Sequence, residues 1–398
     1  MQPAQKATRN QIKTHNERLI LKSIYDQKQT SRADIARLTK LTRPTVSTIV
    51  AGLIDDGLVR EVGYGPSDGG KPPTLLSLVD DSRHLIGLDL SGAEFRGTVI
   101  NLRGQVRQRV TLPTGGQTDD AALALVFQLI DSLVQATTAP LLGIGIGSPG
   151  IVDPNRGIVE QAVNLGWQRL PLQTLLADRY RLPIYVANDS HVAAMGEYTF
   201  GQGETGRNLV VIKVGRGIGA GLILNGRLFY GDGFGAGEIG HITVVDGGER
   251  CTCGQYGCLE TVSSSRAIID QAARLAQTDP RSSLRDMLEN PDALTIEAVR
   301  HAFEAGDPTL SPIIAEAGRY LGVAVAGLVG LLNIHQILIA GSVARFGPAL
   351  LEPLSQAVSR RVLPAFAAKT QIQTAGLGPD IVMLGAAALL LTHEVGVV

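Results

Sequence analysis

The sequence predicts an N-terminal winged helix–turn–helix unit followed by an α/β body of two lobes. Three observations support this fold class. Residues 1–60 contain two short capped helices joined by a turn, and a Gly/Pro-rich loop between two strand-like runs follows them. From His84 onward, strands alternate with helices. A chain of 398 residues is long enough for two or three domains and a large core.

The helices of the N-terminal unit are indicated by their caps. Apolar residues near helical spacing predict a first helix over residues 9–27. Ser31 is placed to cap a second helix, with Asp34 three residues later as in a capping box. Thr42 opens a third helix, and Pro44 lies in its first turn, where no backbone N–H is needed. Such a helix pair is typical of a helix–turn–helix.

The third helix and the wing carry the predicted DNA contacts. The side chains expected to face the major groove are Arg43, Thr45, Ser47 and Thr48. Those expected to face the core are Val46, Ile49, Val50 and Leu53. The tip of the wing, residues 69–73, is narrow and basic, which places Lys71 to reach a minor groove.

Charge is distributed unevenly along the chain. Residues 1–60 contain eleven Lys or Arg and five Asp or Glu, whereas the whole chain has a net charge of −1. A basic head on an acidic body indicates a polyanionic partner, here double-stranded DNA. The alternatives are a solvated helical face and a helical oligomerisation module.

The body reads as two sets of strands and helices around a cleft. The first set contains strands within residues 84–112, a helix over 119–136, the strand LLGIGIG and the strand PIYVAND. The second set contains a strand, a Gly-rich turn and a strand over 208–226, a helix over 309–332 and the strand QILIAG. We expect a head at 1–80, a first lobe at 81–190 with 381–398, and a second lobe at 191–380.

The sequence predicts a cytoplasmic protein without a membrane segment. We see no apolar run that reaches the roughly 18–20 residues of a membrane span. The N-terminus is polar and lacks the apolar region of a signal peptide. Cysteines kept reduced by a metal would suit the same compartment.

All three cysteines fall within eight residues, and a histidine stands upstream of them in the pattern H-x9-C-x-C-x4-C. Three thiolates and one imidazole form a complete tetrahedral zinc shell, so His241, Cys251, Cys253 and Cys258 are the predicted ligands of a structural Zn²⁺. The alternatives are a disulfide and buried free thiols. A disulfide is disfavoured because Cys251 and Cys253 are too close to pair easily and an odd count leaves one thiol over.

The body resembles the ROK family of sugar kinases and sugar-responsive transcription factors. The matching stretches occur in the family's order: GLDLSG at 87–92, GIGIGSPGIVD at 143–153, NLGW at 164–167, VANDSHVAAMGE at 186–197, VGRGIGAGLILNG at 214–226, GAGEIGH at 235–241, CTCGQYGCLE at 251–260 and IAGSVA at 339–344. A body of this kind joined to a winged head resembles the family's repressor branch. The resemblance implies the actin-like, ribonuclease-H-like sugar kinase fold.

The resemblance also implies a sugar pocket. The positions that match its sugar-binding residues are Asn164, Asn188, Asp189, Glu238, His241 and Glu260. Each buried sugar hydroxyl needs a partner, because an unpaired one costs about 1–3 kcal/mol. An isolated Asn-Asp pair is more often a turn or a helix cap, but here it ends a buried strand, where α/β ligand sites tend to lie. His241 would hold zinc with one ring nitrogen and face the sugar with the other.

The phosphate-binding loops depart from those of the family's kinases. Asp189 matches the catalytic base, and Asp89 matches the acid of the first phosphate loop. Where kinases carry Asp-x-Gly-Gly-Thr, this chain has Ser91 and Ala93 in place of a glycine and the threonine, and Arg216 replaces the threonine of the second loop. We therefore expect no enzyme, and hence no catalytic residue, with a sugar kinase as the alternative.

The expected function is a sugar-responsive transcriptional regulator, most simply a repressor. A homodimer or homotetramer would place two heads on operator DNA, and a monosaccharide effector would enter the cleft between the lobes. A protein-docking module is a further alternative that the family contains.

Overall fold

The computed structural model describes residues 8–66, 72–201, 206–289 and 294–396. The N-terminal helices begin where side-chain caps satisfy free backbone N–H groups. The Thr8 hydroxyl accepts from Gln11 N, Ser31 accepts from Asp34 N, and Thr42 accepts from Thr45 N. The resulting helices are α1 (Arg9–Gln27), α2 (Arg32–Thr39) and α3 (Arg43–Asp55).

Three short strands complete the N-terminal unit, which we call the head. They are β1 (Thr30–Ser31), β2 (Val59–Tyr64) and β3 (Thr74–Leu78), in the sheet order β1-β3-β2. The β2–β3 hairpin is the predicted wing, and it is antiparallel. Val46, Val50 and Leu53 are buried, as predicted, and Ile49 is partly buried against the same core.

The first lobe is a five-stranded sheet in the order β11-β7-β4-β5-β6. Its strands are β4 (His84–Asp89), β5 (Glu94–Asn101), β6 (Val106–Pro113), β7 (Leu141–Ser148) and β11 (Ile184–Asn188). The pairs β11–β7 and β7–β4 are parallel, whereas β4–β5 and β5–β6 are antiparallel. The helices that cover it are α4 (Asp119–Gln135) and α5 (Leu172–Tyr180). A small sheet that the sequence did not predict consists of β8 (Ile151–Asp153), β9 (Ile158–Ala162) and β10 (Trp167–Leu170).

The second lobe contains another five-stranded sheet, in the order β14-β13-β12-β15-β16. Its strands are β12 (Leu209–Val214), β13 (Ile218–Leu224), β14 (Arg227–Phe229), β15 (Gln336–Ala340) and β16 (Gln371–Thr374). The remaining helices are α6 (Asp189–Phe200), α7 (Glu260–Ser263), α8 (Ser265–Thr278), α9 (Ile296–Glu304), α10 (Leu310–Leu332), α11 (Pro348–Ser359), α12 (Pro364–Ala367) and α13 (Ile381–Leu390). A π-helical turn, Leu391–Val395, follows α13.

Helices α6 and α13 lie between the two large sheets and contact each other. Glycines permit this close approach. A Cβ at Gly385 of α13 would lie 1.7 Å from Val192 O of α6, and one at Gly145 of β7 would lie 1.9 Å from Ala386 O of α13. Because no side chain fits in these gaps, α6 and α13 join the two sheets through direct backbone contact.

Head and first lobe share one hydrophobic core. Ile24 and Leu78 of the head belong to the same buried cluster as Leu85 and Ile100 of the first lobe and Leu391 of the C-terminal turn. Polar contacts cross the same boundary. Arg103 donates to Tyr25 O at 2.7 Å and lies over the Tyr25 ring, and Arg18 of α1 donates to His393 O. The head is therefore packed onto the body rather than tethered by a free linker.

Two helical segments are apolar and long enough to cross a membrane, judged by length and composition alone. They are Leu310–Leu332 and Gly378–Val395, and 56% and 67% of their most apolar windows are buried inside the protein. Mostly buried helices of this kind are typical of a protein core, so neither segment gives more than weak evidence for a membrane.

Candidate functional site

The N-terminus of α6 brings the predicted pocket residues to the space between the two sheets. Asn188 ends β11 and caps α6, since its Oδ1 accepts from Ser190 N at 2.8 Å and His191 N at 3.3 Å. Its Nδ2 donates to Gly150 O at 2.8 Å. The capping role weighed for this residue is therefore real, and one amide hydrogen remains available to a ligand.

Asp189 is held by a lysine that the sequence did not single out. Lys213 of β12 places its Nζ 2.7 Å from Asp189 Oδ2 and 3.0 Å from Ser91 Oγ. Both charged side chains are largely buried, with 15% of Lys213 and 12% of Asp189 exposed. Burial alone would lower the pKa of Lys213, but the Asp189 and Asp89 carboxylates outweigh it, and the pKa is raised. Lys213 is therefore an ammonium cation at neutral pH.

Asp89 forms the second half of this charge network. Ser91 donates to it from both its backbone N–H and its hydroxyl, and Arg96 forms an ion pair with it. Burial alone would raise the pKa of Asp89, but Lys213, Arg96 and the Ser91 hydrogen bonds hold it below its usual range. The hydroxyl of Ser91 is thus occupied by the Asp89 carboxylate and Lys213.

Arg216 stands apart from this network. It lies in the turn between β12 and β13, it is exposed, and it makes no hydrogen bond or ion pair to another described residue. Lys213 occupies the interior instead.

Glu238 and Glu260 lie near Asp189, and we call this pair of glutamates the pocket wall. Glu238 precedes the short 3₁₀ helix Ile239–His241, and Glu260 begins α7. Burial raises the pKa of Glu238, and the Asp189 and Glu260 carboxylates add to the increase while His241 opposes it. Glu260 Oε2 accepts from Ile218 N at 3.1 Å, so one of its oxygens already holds the Gly-rich turn.

Asn164 is the predicted sugar-binding residue that belongs to the small sheet region of the first lobe. It lies in the 3₁₀ turn Val163–Leu165 between β9 and β10, and it is exposed. Its side chain makes no hydrogen bond to another described residue, so both its carbonyl and its amide are available.

The four predicted metal ligands form one cluster. The ligand atoms of His241, Cys251, Cys253 and Cys258 all lie within 4.8 Å of one another. Cys253 Sγ lies 3.7 Å from Cys258 Sγ, and Cys251 Sγ lies 3.6 Å from His241 Nδ1. A tetrahedral zinc shell has S–S edges of about 3.8 Å and S–N edges of about 3.5 Å. The four side chains therefore fit a tetrahedral metal ion.

The loop that carries the thiols depends on one glycine. Gly257 has a φ of +69°, and a Cβ there would lie 1.8 Å from Val245 O. Its carbonyl accepts from Val244 N at 2.8 Å, and its N–H donates to Glu249 O at 2.9 Å. Only glycine fits this close approach, and it aligns Cys258 with the chain that follows His241.

His241 faces two ways. Its Nδ1 points to the thiol cluster, and its Nε2 lies 3.9 Å from Glu238 Oε2. The metal cluster and the pocket wall thus share one imidazole ring.

His191 contributes to the site although the sequence argument did not include it. Its Nε2–H donates to Ala236 O at 2.7 Å, and its ring contacts Tyr230 edge to face at 5.3 Å. Burial lowers the pKa of His191, so the imidazole is neutral near pH 7. It ties the N-terminus of α6 to the loop that carries Glu238. The signal that could have identified His191 is its position inside the stretch VANDSHVAAMGE.

The candidate DNA-contacting surface is the start of α3. Arg43, Ser47 and Thr48 are exposed, and Thr45 is partly buried with its hydroxyl 2.8 Å from that of Thr42. Lys71, the predicted minor-groove residue, lies outside the described residues.

Residues 85–393 match the model of the ROK family, and residues 14–65 match a model of the MarR family. The xylose repressor of Caldicellulosiruptor bescii is 34% identical over 385 residues, which is 96% of this chain and 96% of that protein. The glucokinase of Halalkalibacterium halodurans is 33% identical over 319 residues, which is 78% of this chain and 96% of that enzyme.

A solved structure of similar architecture belongs to a ROK family transcriptional regulator that is a homologue of the E. coli MLC protein. It superimposes with a TM-score of 0.83 at 29% identity and covers 97% of this chain and 98% of that chain. The two regulators are thus similar to this chain over nearly its whole length, whereas the glucokinase match leaves about a fifth of it uncovered.

Proposed function

The chain belongs to the ROK family, and from this premise we propose that it is a sugar-responsive transcriptional repressor. It is a regulator of that family rather than one of its sugar kinases. The observation that carries the proposal is that one chain joins a MarR-type head to a body whose pocket aspartate, Asp189, is ion-paired with Lys213. Such a pocket can bind a sugar through hydrogen bonds while its aspartate is paired with a cation.

The head reads operator DNA through the start of α3. Arg43, Ser47 and Thr48 reach into the major groove. A homodimer or homotetramer presents two heads to half-sites one helical turn apart, about 34 Å, or a multiple of that.

The pocket binds a monosaccharide through convergent hydrogen bonds. Asp189, Glu238 and Glu260 accept from sugar hydroxyls, while Asn188 and His241 donate through their remaining N–H groups. Asn164 closes over the sugar from the β9–β10 turn. The support for this assignment is that all of these residues except Asn164 lie either at the N-terminus of α6 or beside the Cys/His cluster.

The metal is a structural Zn²⁺. Three thiolates and an imidazole suit zinc better than the oxygen-preferring ions, and four protein ligands leave no open position for a reacting water. Zinc bound there would lock the orientation of His241, whose other nitrogen faces Glu238. Zinc therefore stabilises the pocket wall.

Sugar binding is communicated through lobe closure. The domains are residues 1–80, residues 81–190 with 381–398, and residues 191–380, and the sugar lies where the last two face each other. A coupling free energy of about 1–3 kcal/mol between sugar and operator is enough for a 5–150-fold change in affinity. This regulation takes place in the cytoplasm, where the operator is.

The test is operator affinity with and without sugar. Duplexes that the purified protein selects from a random library serve as the DNA, and monosaccharides and their phosphates serve as effectors. We expect one sugar class to change the operator Kd at least fivefold. Asp189→Asn should retain DNA binding and lose the response, and Asp178→Asn, an exposed α5 residue, should keep both. Failure to select any duplex, or indifference to every sugar, would overturn the proposal.

A further inference from the structure

Lys213 is an unusual residue for its position in the fold. It lies on β12, an inner strand of the second sheet, whose other residues are buried and apolar. Its neighbours in register are Gly219 on β13 and Ala340 on β15, so small residues flank it on both sides. A buried lysine in such a strand needs partners, because an unpaired buried ammonium is strongly unfavourable.

The partners of Lys213 belong to the other side of the cleft. Asp189 begins α6 directly after β11 of the first sheet, and Ser91 follows β4 of the same sheet. The ammonium therefore spans from the second sheet to the first. Asp89 is bound to the same Ser91 hydroxyl and to Arg96.

Within its direct ion pairs, this network balances without an added ion. Two carboxylates, Asp89 and Asp189, face two cations, Lys213 and Arg96. In phosphoryl transfer, acidic residues of this kind hold Mg²⁺, which neutralises phosphate oxygens, and a free carboxylate accepts the proton of the attacking hydroxyl. Here the Lys213 ammonium is bound to Asp189 Oδ2, so this carboxylate is paired with a cation that belongs to the protein.

We propose that Lys213 is a built-in cation that takes the place of a divalent metal and holds Asp189 as an ionised acceptor of a sugar hydroxyl. The part of this inference that concerns sugar binding rests on the proposed function, whereas the part that concerns the cation does not. Lys213 is a positioning residue: it acts on the ligand through Asp189. Sugar binding by this protein accordingly needs neither Mg²⁺ nor nucleotide.

Mn²⁺ is the probe for the cation, with bound and free ion distinguished by electron paramagnetic resonance on the full-length protein. Lys213→Met leaves Asp89 and Asp189 with one cation fewer. We expect it to bind Mn²⁺ at least tenfold more tightly than the unmodified protein, and adding Asp189→Asn should abolish the gain. Lys369→Met, at an exposed lysine of the second lobe, is the matched control and should bind Mn²⁺ as the unmodified protein does.

Sugar affinity is the second readout, measured by calorimetry with a panel of aldoses. Lys213→Met should lose at least tenfold in affinity without divalent ions, and millimolar Mn²⁺ should restore part of the loss. Lys213→Arg, which keeps the cation, should retain more affinity than Lys213→Met. A residue that served only to fill space would show no metal rescue and no advantage of arginine.

The two readouts separate the two hypotheses. If no aldose binds to the unmodified protein, the sugar proposal fails while the Mn²⁺ measurement still decides the role of Lys213. If Lys213→Met binds Mn²⁺ no better than Lys369→Met, the built-in cation is overturned. Should Lys213→Met fail to fold, Lys213→Gln, which keeps a donor for Asp189 without the charge, is measured under the same criteria.

Discussion

The ring of Tyr185 lies nearly parallel to the imidazole of His393, with ring centroids 4.4 Å apart and planes 10° apart. Tyr185 also donates its hydroxyl to Glu394 Oε1 at 2.6 Å. Tyr185 belongs to β11, the strand that ends at Asn188. His393 lies in the C-terminal turn, and its carbonyl accepts a hydrogen bond from Arg18 of α1. A continuous set of contacts thus runs from the pocket strand to the first helix of the head.

We predict that breaking this set of contacts weakens communication between the two binding events. Arg18→Met removes the hydrogen bond to His393 O and leaves the pocket untouched. We expect sugar affinity to be unchanged, whereas the sugar-dependent change in operator affinity should shrink by about 0.5–2 kcal/mol. The measurement is a thermodynamic cycle of operator Kd and sugar Kd for each variant.

Arg179→Met is the control for that cycle. Arg179 pairs with Asp131 on the surface of the first lobe and has no contact with the head among the described residues. It should leave the coupling intact. Equal coupling in Arg18→Met and the unmodified protein would show that the signal takes another route.

The second prediction concerns the DNA surface. Arg43→Ala should weaken operator binding by about 1–3 kcal/mol if Arg43 pairs with a base edge. If it contacts a phosphate, the slope of log K against log salt should instead decrease by about one. Fluorescence anisotropy over a salt series distinguishes the two. Sugar affinity should not change, and Arg285→Ala, at an exposed position of the body, should behave as the unmodified protein does.

The third prediction concerns the metal. Cys253→Ser should lose bound zinc, which elemental analysis detects, and should weaken sugar binding because His241 is no longer held. Operator affinity without sugar should remain. Thr252→Ser, at the exposed neighbouring position, keeps all four ligands and should retain both zinc and sugar. Full sugar affinity in zinc-free Cys253→Ser would mean that the metal does not support the pocket.

The fourth prediction follows from the lowered pKa of Asp89. A carboxylate whose pKa is lower in the folded than in the unfolded state stabilises the fold above its unfolded pKa, about 3.9. That stability is lost as pH falls through the folded value. Lys213, Arg96 and Ser91 favour the ionised form of Asp89, and Asp189 shares Lys213 with it.

Asp89→Asn should therefore be less stable than the unmodified protein by about 1.5–3 kcal/mol at pH 6, the usual worth of hydrogen bonds to a charged group. The difference should shrink as pH falls below about 4. Urea unfolding of both proteins between pH 6 and 3 measures it, and zinc loss at acid pH affects both alike. A difference independent of pH would contradict an ionised Asp89 in the folded state.

Local signals in the sequence were sufficient to predict the helices of the head and the cluster of His241 with the three cysteines. Ser31 and Asp34 interact three residues apart, and His241 lies only ten residues before Cys251, so short stretches of sequence already indicate which side chains meet. Glu238 and Glu260 could be identified only through family motifs, because they come from segments distant from Asp189.

Lys213 could not be identified from its neighbours in the sequence. It interrupts an apolar run and gives no sign of an ion pair with Asp189, 24 residues away, or of a hydrogen bond to Ser91, 122 residues away. Both contacts arise from the packing of two sheets against α6 and α13. The same limitation applies to Tyr185 and Glu394, which meet across 209 residues.

The hydrophobic core that Ile24 and Leu78 of the head share with Leu85 and Ile100 of the first lobe limits how the chain can be divided into separate domains. Cutting the chain near residue 80 would leave each fragment with an exposed hydrophobic patch, and each would tend to aggregate. Heat should accordingly melt head and first lobe together in a single cooperative step. A stand-alone enzyme built on the same body would need new surface residues along that face before it could remain in solution by itself.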